Sequence, residues 1–541
     1  MPAIHRFFSG TAENPQIVIL NVGSKSTHRF AYHCRRAGIR SRIMDSFCLA
    51  SHARRTVPKG IIISGGPGSV YDPDVLHIPC DEIMRLCNTH GTAVLGVCLA
   101  AQAFAHRYGG KVERATHPEI GIRTLNIPQR EAVVMILEAM GGYHGGKVVM
   151  NHADDIVSLP SWWKRYGSTE QSAYAFFGTR KMLFTLFHPE LEGTENGEEI
   201  MRHFLFERAA CTRDYDSCPE AMIAEMVDFI RQAVPTGSVV VAVSGGVDST
   251  LTLELFRMAL GRDRVWGVFV DNGFLRQGEA QEVRRLLGDD HMIYRDARER
   301  FYEQIEAIPW VGRTEREYFV DVRRVISHMF IDVFADTASS IPFVVAVGQG
   351  TNHSDIWETH TRLVQHHNVG DDLAERLGLP IVEPLAGVLK SEIRLMAASV
   401  DLDSLIVHRQ PSPGPGNAIR MPMPVTRAKA ESAGVANRVL DRLILTHYPD
   451  PRDRPTQWYV ALRPGLMAGN FGDREGDGHE LMVRAVRTAD HVSADIFYFP
   501  EEIWRDIDES LRAHVVGPDG LPIVVVAYNG SSKPPARIEP R

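Results

Sequence analysis

Ser238-Val239-Val240-Val241-Ala242-Val243-Ser244-Gly245-Gly246-Val247-Asp248-Ser249 leads directly into the helix-patterned residues 250–260. A short apolar run bounded by glycines reads as a buried strand, and the longer apolar-periodic stretch after it as a helix. The segment therefore predicts strand, tight turn and helix, the opening of an open, largely parallel sheet. Its glycines let the backbone approach an anion closely, and the first turn of the helix supplies N–H donors. The hydroxyls of Ser244 and Ser249 add hydrogen bonds. Asp248 repels phosphate by itself, so a divalent cation such as Mg2+ is its natural companion. No Gly-Lys-Ser/Thr follows, which excludes a Walker loop.

Working outward, the same alternation recurs upstream. Residues 17–21, 60–64 and 92–96 read as buried strands, with helical patterns at 81–90 and 100–108. Residues 182–188 close this first unit near Glu207. The small and polar residues 209–219 read as a linker, followed by a helix over 220–233. Further strands are expected at 265–270 and 343–347. Near Val407 the texture changes: Pro411-Ser412-Pro413-Gly414-Pro415-Gly416 cannot be helix or central strand, because proline lacks the amide and fixes φ. The remainder mixes helix and strand and ends in an apolar run at 524–528. The expected fold is α/β: two open, largely parallel sheet domains in tandem, then a smaller α+β domain. The expected divisions are 1–207, a linker at 208–219, 220–408 and 409–541.

The 541 residues exceed one compact domain, and the 44% apolar and 23% charged composition is that of ordinary globular protein. The net charge of −8 argues against a general nucleic-acid binder. Seven cysteines, an odd count without a CxxC pair, argue against a disulfide framework or a structural zinc site. No run approaches the ~20 apolar residues needed to span a bilayer. A cytoplasmic enzyme with no membrane partner is expected.

A second reactive element is Gly96-Val97-Cys98-Leu99-Ala100, between a strand and a helix. That layout lifts a nucleophile out of a sheet, and the N–H groups that follow can bind an oxyanion. A helix N-terminus also favours thiolate. A lone cysteine is more often a buried structural residue. His188-Pro189-Glu190 changes the balance: alternate residues of an extended segment face one way, so Glu190 can orient the His188 ring as that ring takes the thiol proton.

Residues 1–207 resemble a class I glutamine amidotransferase domain, on Ser64-Gly65-Gly66-Pro67, Cys98, Ser168-Thr169-Glu170 and His188 with Glu190. The resemblance implies that Cys98 attacks the glutamine amide, that N–H groups near Gly66 and Leu99 stabilise the oxyanion, and that Gln102 lies by the glutamine. Ser244, Gly245, Gly246, Val247, Asp248 and Ser249 match the PP-loop ATP pyrophosphatases completely, which implies ATP cleavage between the α and β phosphates. In this order the two signals resemble the glutamine-hydrolysing GMP synthase family over nearly the whole chain. Residues 268–273, Gln349-Gly350-Thr351 with Asp355 and Glu358, residues 366–370, 411–420 and 533–539 all match colinear family segments.

That resemblance implies ATP and Mg2+ as cofactors and glutamine plus a purine-nucleotide-like acceptor as substrates, with the acceptor oxygen adenylylated and AMP displaced by ammonia. Val270, Gln349 and Gly350 would join the ATP site. Asp355, Glu358, His366, His367, Asn368, Arg420, Lys533, Ile538 and Glu539 would form the lid and acceptor site, and residues after 409 would pair two chains into a homodimer. Several positions depart from the family. The elbow has Leu99 and Ala100 where Tyr-Gly is usual. Asn21-Val22-Gly23-Ser24-Lys25 and Asn151-His152-Ala153-Asp154 replace the usual glutamine-pocket segments. Val364 stands where a lysine is usual, Ser412 replaces phenylalanine, and Gly472-Asp473-Arg474-Glu475 and Arg537 differ on the acceptor side. Two readings of the acceptor therefore stand: XMP, or another purine or oxygen-bearing heterocycle. A catalytically idle regulatory paralogue is a third reading, against which the complete Cys98-His188-Glu190 set and PP-loop argue.

Overall fold

The computed structural model describes residues 4–7, 14–24, 26–72, 78–128, 145–352, 355, 371–410, 413–471, 473–488, 494–531 and 538–540. The chain divides into two compact units. One is Phe8–Met222 with Gly387–Leu389; the other is Met1–Phe7, Ile223–Ala386 and Lys390–Arg541.

The first unit is built on a seven-stranded sheet in the order Ser41–Asp45, Ile17–Asn21, Gly60–Ile63, Ala93–Val97, Met182–Thr185, Phe176–Gly178, Lys164–Gly167. The first five strands are parallel and the last two antiparallel. Ile17–Asn21, Gly60–Ile63 and Ala93–Val97 are continuous apolar runs and almost wholly buried, as strands covered on both faces must be. Helices Thr27–Arg36, Cys80–His90 and Leu99–Arg107 alternate with them. A two-stranded antiparallel ribbon, Lys111–Asn126 with Gly145–Ser158, lies outside the sequence expectation. Charged residues punctuate it, so no apolar run marks it. Residues 209–219 are fastened to this unit rather than spanning free: Gln16 Nε2 donates to Thr212 O at 2.6 Å, and the Asp214 amide donates to Gly38 O at 2.9 Å.

The second unit contains six parallel strands in the order Ile4–Arg6, Ile381–Glu383, Val344–Gly348, Ser238–Ala242, Val265–Asp271, Met292–Asp296. From Ser238–Ala242 the connections run to one side through Val265–Asp271 and to the other through Val344–Gly348. Its carboxyl end is therefore the topological switch point, where open α/β sheets bind ligands. Ile4–Arg6 is a strand that three residues of sequence give no periodicity to reveal, and it belongs here rather than with the residues that follow it. Residues after 409 carry a second sheet, in which Gln457–Leu462, Met467–Phe471, Asp495–Ile496 and Ile523–Tyr528 all pair with Arg474–Arg487. Helices Arg427–His447 and Glu501–His514 pack together beside it. One apolar core runs from Val240 and Val347 through Leu440 to Val483 and Leu511, which makes the α+β region part of the second unit. Among the described residues no helix is long and apolar enough to cross a membrane.

Candidate active site

Strand Ala93–Val97 ends in Cys98, whose φ of 51° and ψ of −109° break the strand before helix Leu99–Arg107 begins. A non-glycine residue with positive φ is strained and must be held by its surroundings. Here the Cys98 amide donates to Thr185 O at 2.7 Å. Gly96 lets Phe184 close in beneath, since a Cβ there would stand 2.7 Å from its ring. Ala100, at the position of the usual elbow glycine, is fully buried, and its methyl faces the space that Gly96 leaves.

The chain after Met182–Thr185 brings His188 to the thiol. The His188 amide donates to Val149 O at 3.0 Å, and its carbonyl accepts from Thr194 Oγ1 at 2.7 Å. Its ring lies beside Cys98, both bordering Gly65, and through Nδ1 hydrogen-bonds to Glu190 Oε1 at 2.8 Å. Ser26 Oγ donates to the same carboxylate oxygen at 2.6 Å. Burial alone would strip the charge from this ring, but the Glu190 carboxylate and the Cys98 sulfur raise its pKa to about 10. Against its own burial, Glu190 is held below the usual carboxylate range by the ring and by Ser26. Thiol, imidazole and carboxylate are thus brought together. Sequence reasoning missed Ser26, which lies 164 residues from its partner and has no local signature.

Gly65 and Gly66 cover this group. A Cβ on Gly65 would stand 3.3 Å from His188 Cε1 and 3.4 Å from Cys98 Cβ; one on Gly66 would stand 2.5 Å from Val22 O and 2.9 Å from Leu99 Cδ2. Gly66 and Leu99 therefore adjoin at the elbow. Gln102 is buried, and its amide is committed to Asp154 O at 2.7 Å, which ties the elbow helix to the ribbon. The Cys98 thiol also faces Asn151 O at 3.8 Å. Behind Asn151 lies a buried cluster in which Glu119 accepts Thr169 Oγ1 at 2.8 Å and approaches His152 Nε2 at 3.6 Å. Burial would raise the Glu119 carboxyl, but His152, Ser172 and Thr169 bring it below its ordinary value.

In the second unit the loop Ser244–Ser249 closes on itself. Ser249 Oγ accepts from the Ser244 amide at 3.1 Å and donates to Gly246 O at 3.1 Å. Gly245 has φ 77°, and Gly246 caps helix Val247–Leu260. Asp248 Oδ2 accepts from Lys390 Nζ, while Asp248 Oδ1 is buried with no hydrogen-bond partner among the described residues. Arg409 donates to Gly245 O at 2.8 Å and to Glu279 at 2.8 Å. Lys390 and Arg409 escaped the sequence reading because each meets its loop from more than 140 residues away. Gly350 presses against Ser249: a Cβ there would stand 3.0 Å from its backbone N and Cα. The Gln349 amide donates to Val382 O at 3.1 Å, and Val270 lies near the end of the neighbouring strand Val265–Asp271. Val247 and Ser249 are buried in the first turn of the helix.

Of the expected acceptor residues, Arg420 and Glu539 meet in a two-point ion pair at 3.0 and 2.6 Å. Arg420 also stacks on Tyr459, whose hydroxyl donates to Ile538 O at 2.8 Å. Asp355 Oδ2 accepts the Asn352 amide at 2.9 Å. Glu358, Val364, His366, His367, Asn368, Ser412, Lys533 and Arg537 lie outside the described residues.

Comparison with known proteins follows the same division. The family model for glutamine amidotransferase class-I matches residues 18–208, and that for NAD synthase matches residues 222–294. A glutamine-hydrolysing GMP synthase of Symbiobacterium thermophilum is 33% identical over 97% of this chain and 98% of its own length. One from Bacillus cereus is 32% identical over 97% and 98%. A solved structure of a glutamine amidotransferase from Thermotoga maritima aligns at 16% identity over 36% of this chain and 98% of its own, with a TM-score of 0.31.

Proposed function

The chain belongs to the glutamine-hydrolysing GMP synthases, and from that premise we propose that it converts XMP to GMP, with ammonia drawn from glutamine and ATP used to activate the purine oxygen. The observation that carries this reading is the presence, in one chain, of a thiol beside a hydrogen-bonded imidazole and carboxylate and of a closed PP-loop beside Lys390.

In this reading the Cys98 sulfur attacks the glutamine amide carbon with its proton already lodged on the His188 ring, which Glu190 keeps charged. The backbone N–H groups of Gly66 and Leu99 receive the oxyanion. The His188 ring then gives its proton to departing ammonia, and water releases glutamate from the thioester. At the second centre the N–H groups of the loop and the Lys390 ammonium take the ATP phosphates. The acceptor oxygen attacks the α-phosphorus and pyrophosphate leaves. Ammonia then displaces AMP from the adenylylated purine.

The loop fits Mg2+. Asp248 Oδ1 is a buried carboxylate oxygen without a hydrogen-bond partner among the described residues, and Mg2+ is commonly held by one or two carboxylates with substrate phosphates completing its shell. Bound there by Asp248, the ion would neutralise charge building on the pyrophosphate. Arg420, Ile538 and Glu539, with Lys533, His366, His367, Asn368, Asp355 and Glu358, are assigned to the acceptor and its lid. Residues 409–541 are assigned to pairing two chains. A cytoplasmic setting accords with seven free cysteines.

The test is AMP release with glutamine, ATP, Mg2+ and XMP, with the purine product identified by mass spectrometry. AMP and GMP formed together are expected. No turnover of XMP, with Cys98-dependent AMP release on another heterocycle, overturns XMP as the acceptor.

A further inference from the structure

Glu383 is wholly buried at the end of strand Ile381–Glu383, in the sheet that carries the PP-loop. A carboxylate removed from water is costly unless each oxygen has a partner. Both do. Oε2 accepts from Arg6 Nε at 2.6 Å, and Oε1 accepts from Thr351 Oγ1. Arg6 reaches it because Ile4–Arg6 adds in parallel to Ile381–Glu383, with Arg6 in register with Glu383, and because the Phe7 amide donates to Glu383 O at 3.1 Å. The Phe7 ring then packs on Phe229 at 5.5 Å, which anchors the strand end.

Thr351 is itself buried and follows Gly350, whose backbone bears on Ser249 of the loop. A line of contacts therefore runs from Arg6 through Glu383 and Thr351 to Gly350 and the first turn of the loop helix. Three paired residues at a sheet edge contribute little by themselves. What the strand delivers is one guanidinium, placed against a carboxylate whose other oxygen fixes the segment that packs on the loop.

We propose that Arg6 is a positioning residue of the ATP site: by neutralising and orienting Glu383 it holds Thr351, and with it the Gly350 backbone, against Ser249. The inference rests on the ATP-binding role proposed above. It places a determinant of nucleotide affinity in a segment that precedes the glutaminase unit in sequence.

Calorimetric titration with ATP and Mg2+, without acceptor or glutamine, tests it on the full chain. Arg6→Ala and Thr351→Val are each expected to weaken ATP binding about tenfold, the scale of one displaced hydrogen bond. The double variant should lose no more than either alone, because both break one relay. Arg6→Lys should stay within about threefold, since the charge is kept. Glutamine hydrolysis at Cys98 should be unchanged throughout. Wild-type affinity in Arg6→Ala with a lowered thermal midpoint would reduce Arg6 to a fastener of the sheet edge and overturn the proposal. Additive losses in the double variant would overturn the relay. Should Arg6→Ala fail to fold, Thr351→Val decides alone, and unchanged affinity there sinks the idea. A wild-type protein that binds no ATP overturns the functional reading and this inference together.

Discussion

Gly350 stands so near Ser249 that a single added carbon would lie 3.0 Å from both its backbone nitrogen and its Cα. The obstacle is backbone at the base of the loop helix and cannot swing aside. Gly350→Ala is therefore expected to displace the loop and reduce kcat/KM for ATP in the ammonia-dependent reaction at least about tenfold, a 1.4 kcal/mol effect. Wild-type kinetics in this variant would show that the contact is slack.

Lys390 donates to Asp248, the one acid of the loop. Lys390→Met keeps the length of the side chain and removes its charge. Losing a charge-assisted contact costs about 2 kcal/mol, so kcat/KM for ATP should fall roughly thirtyfold, while glutamine hydrolysis persists. Equal loss of both activities would point to misfolding instead.

Cys98→Ala should abolish glutamine-dependent turnover and spare turnover on added ammonium, because in the proposed mechanism the thiol forms the acyl intermediate and serves no other step. Glu119→Gln probes the support behind it. Glu119 pairs in register with His152 in the ribbon, one residue from the Asn151 carbonyl that faces the thiol. Its charge is expected to matter for glutamine affinity alone, with KM for glutamine rising roughly tenfold and ammonia kinetics unmoved. A change in both sets of kinetics would place Glu119 in general stability.

His188 and Glu190 give a pH signature. Glu190 is held below its usual range, so its stabilising share is present above about pH 4.3 and is lost as pH falls through its lower folded value. His188 is raised to about 10, so its share is complete below about pH 6.5 and is lost as pH rises towards the folded value. Glu190→Gln removes the charge that holds the ring up. The gap in thermal midpoint between wild type and variant should shrink steadily from about pH 6.5 upward. A gap that stays constant over that range would dismiss the ion pair.

What the sequence could disclose followed from range. The turns at Cys98 and at Ser244–Ser249 are local: strand, special backbone and helix follow within a dozen residues, and periodicity plus glycine placement reveals them. His188 and Glu190 were legible as a histidine and an acid two residues apart, although the structure joins them through a turn rather than the extended segment expected. Ser26, Lys390 and Arg409 were not, since each acts across at least 140 residues and a lone serine, lysine or arginine carries no pattern. Gln102 illustrates the converse: a family position marked it, and the fold commits its amide to the ribbon backbone. The ribbon itself is mixed in polarity, so neither strand rises above its flanks.

The strand Ile4–Arg6 has a consequence for how this chain can be divided. Residues 8–222 fold as one unit, yet the strand before them belongs to the other. In connectivity the glutaminase unit is thus a guest, spliced into the synthetase after its outermost strand and held by the host chain on both sides. A fragment beginning at residue 220 would not be a complete synthetase. It would lack one edge strand, leave Ile381–Glu383 paired on one side only, and leave Glu383 buried without its cation. Splitting the two activities onto separate polypeptides requires that residues 4–7 travel with the second piece, by fusion or as an added peptide.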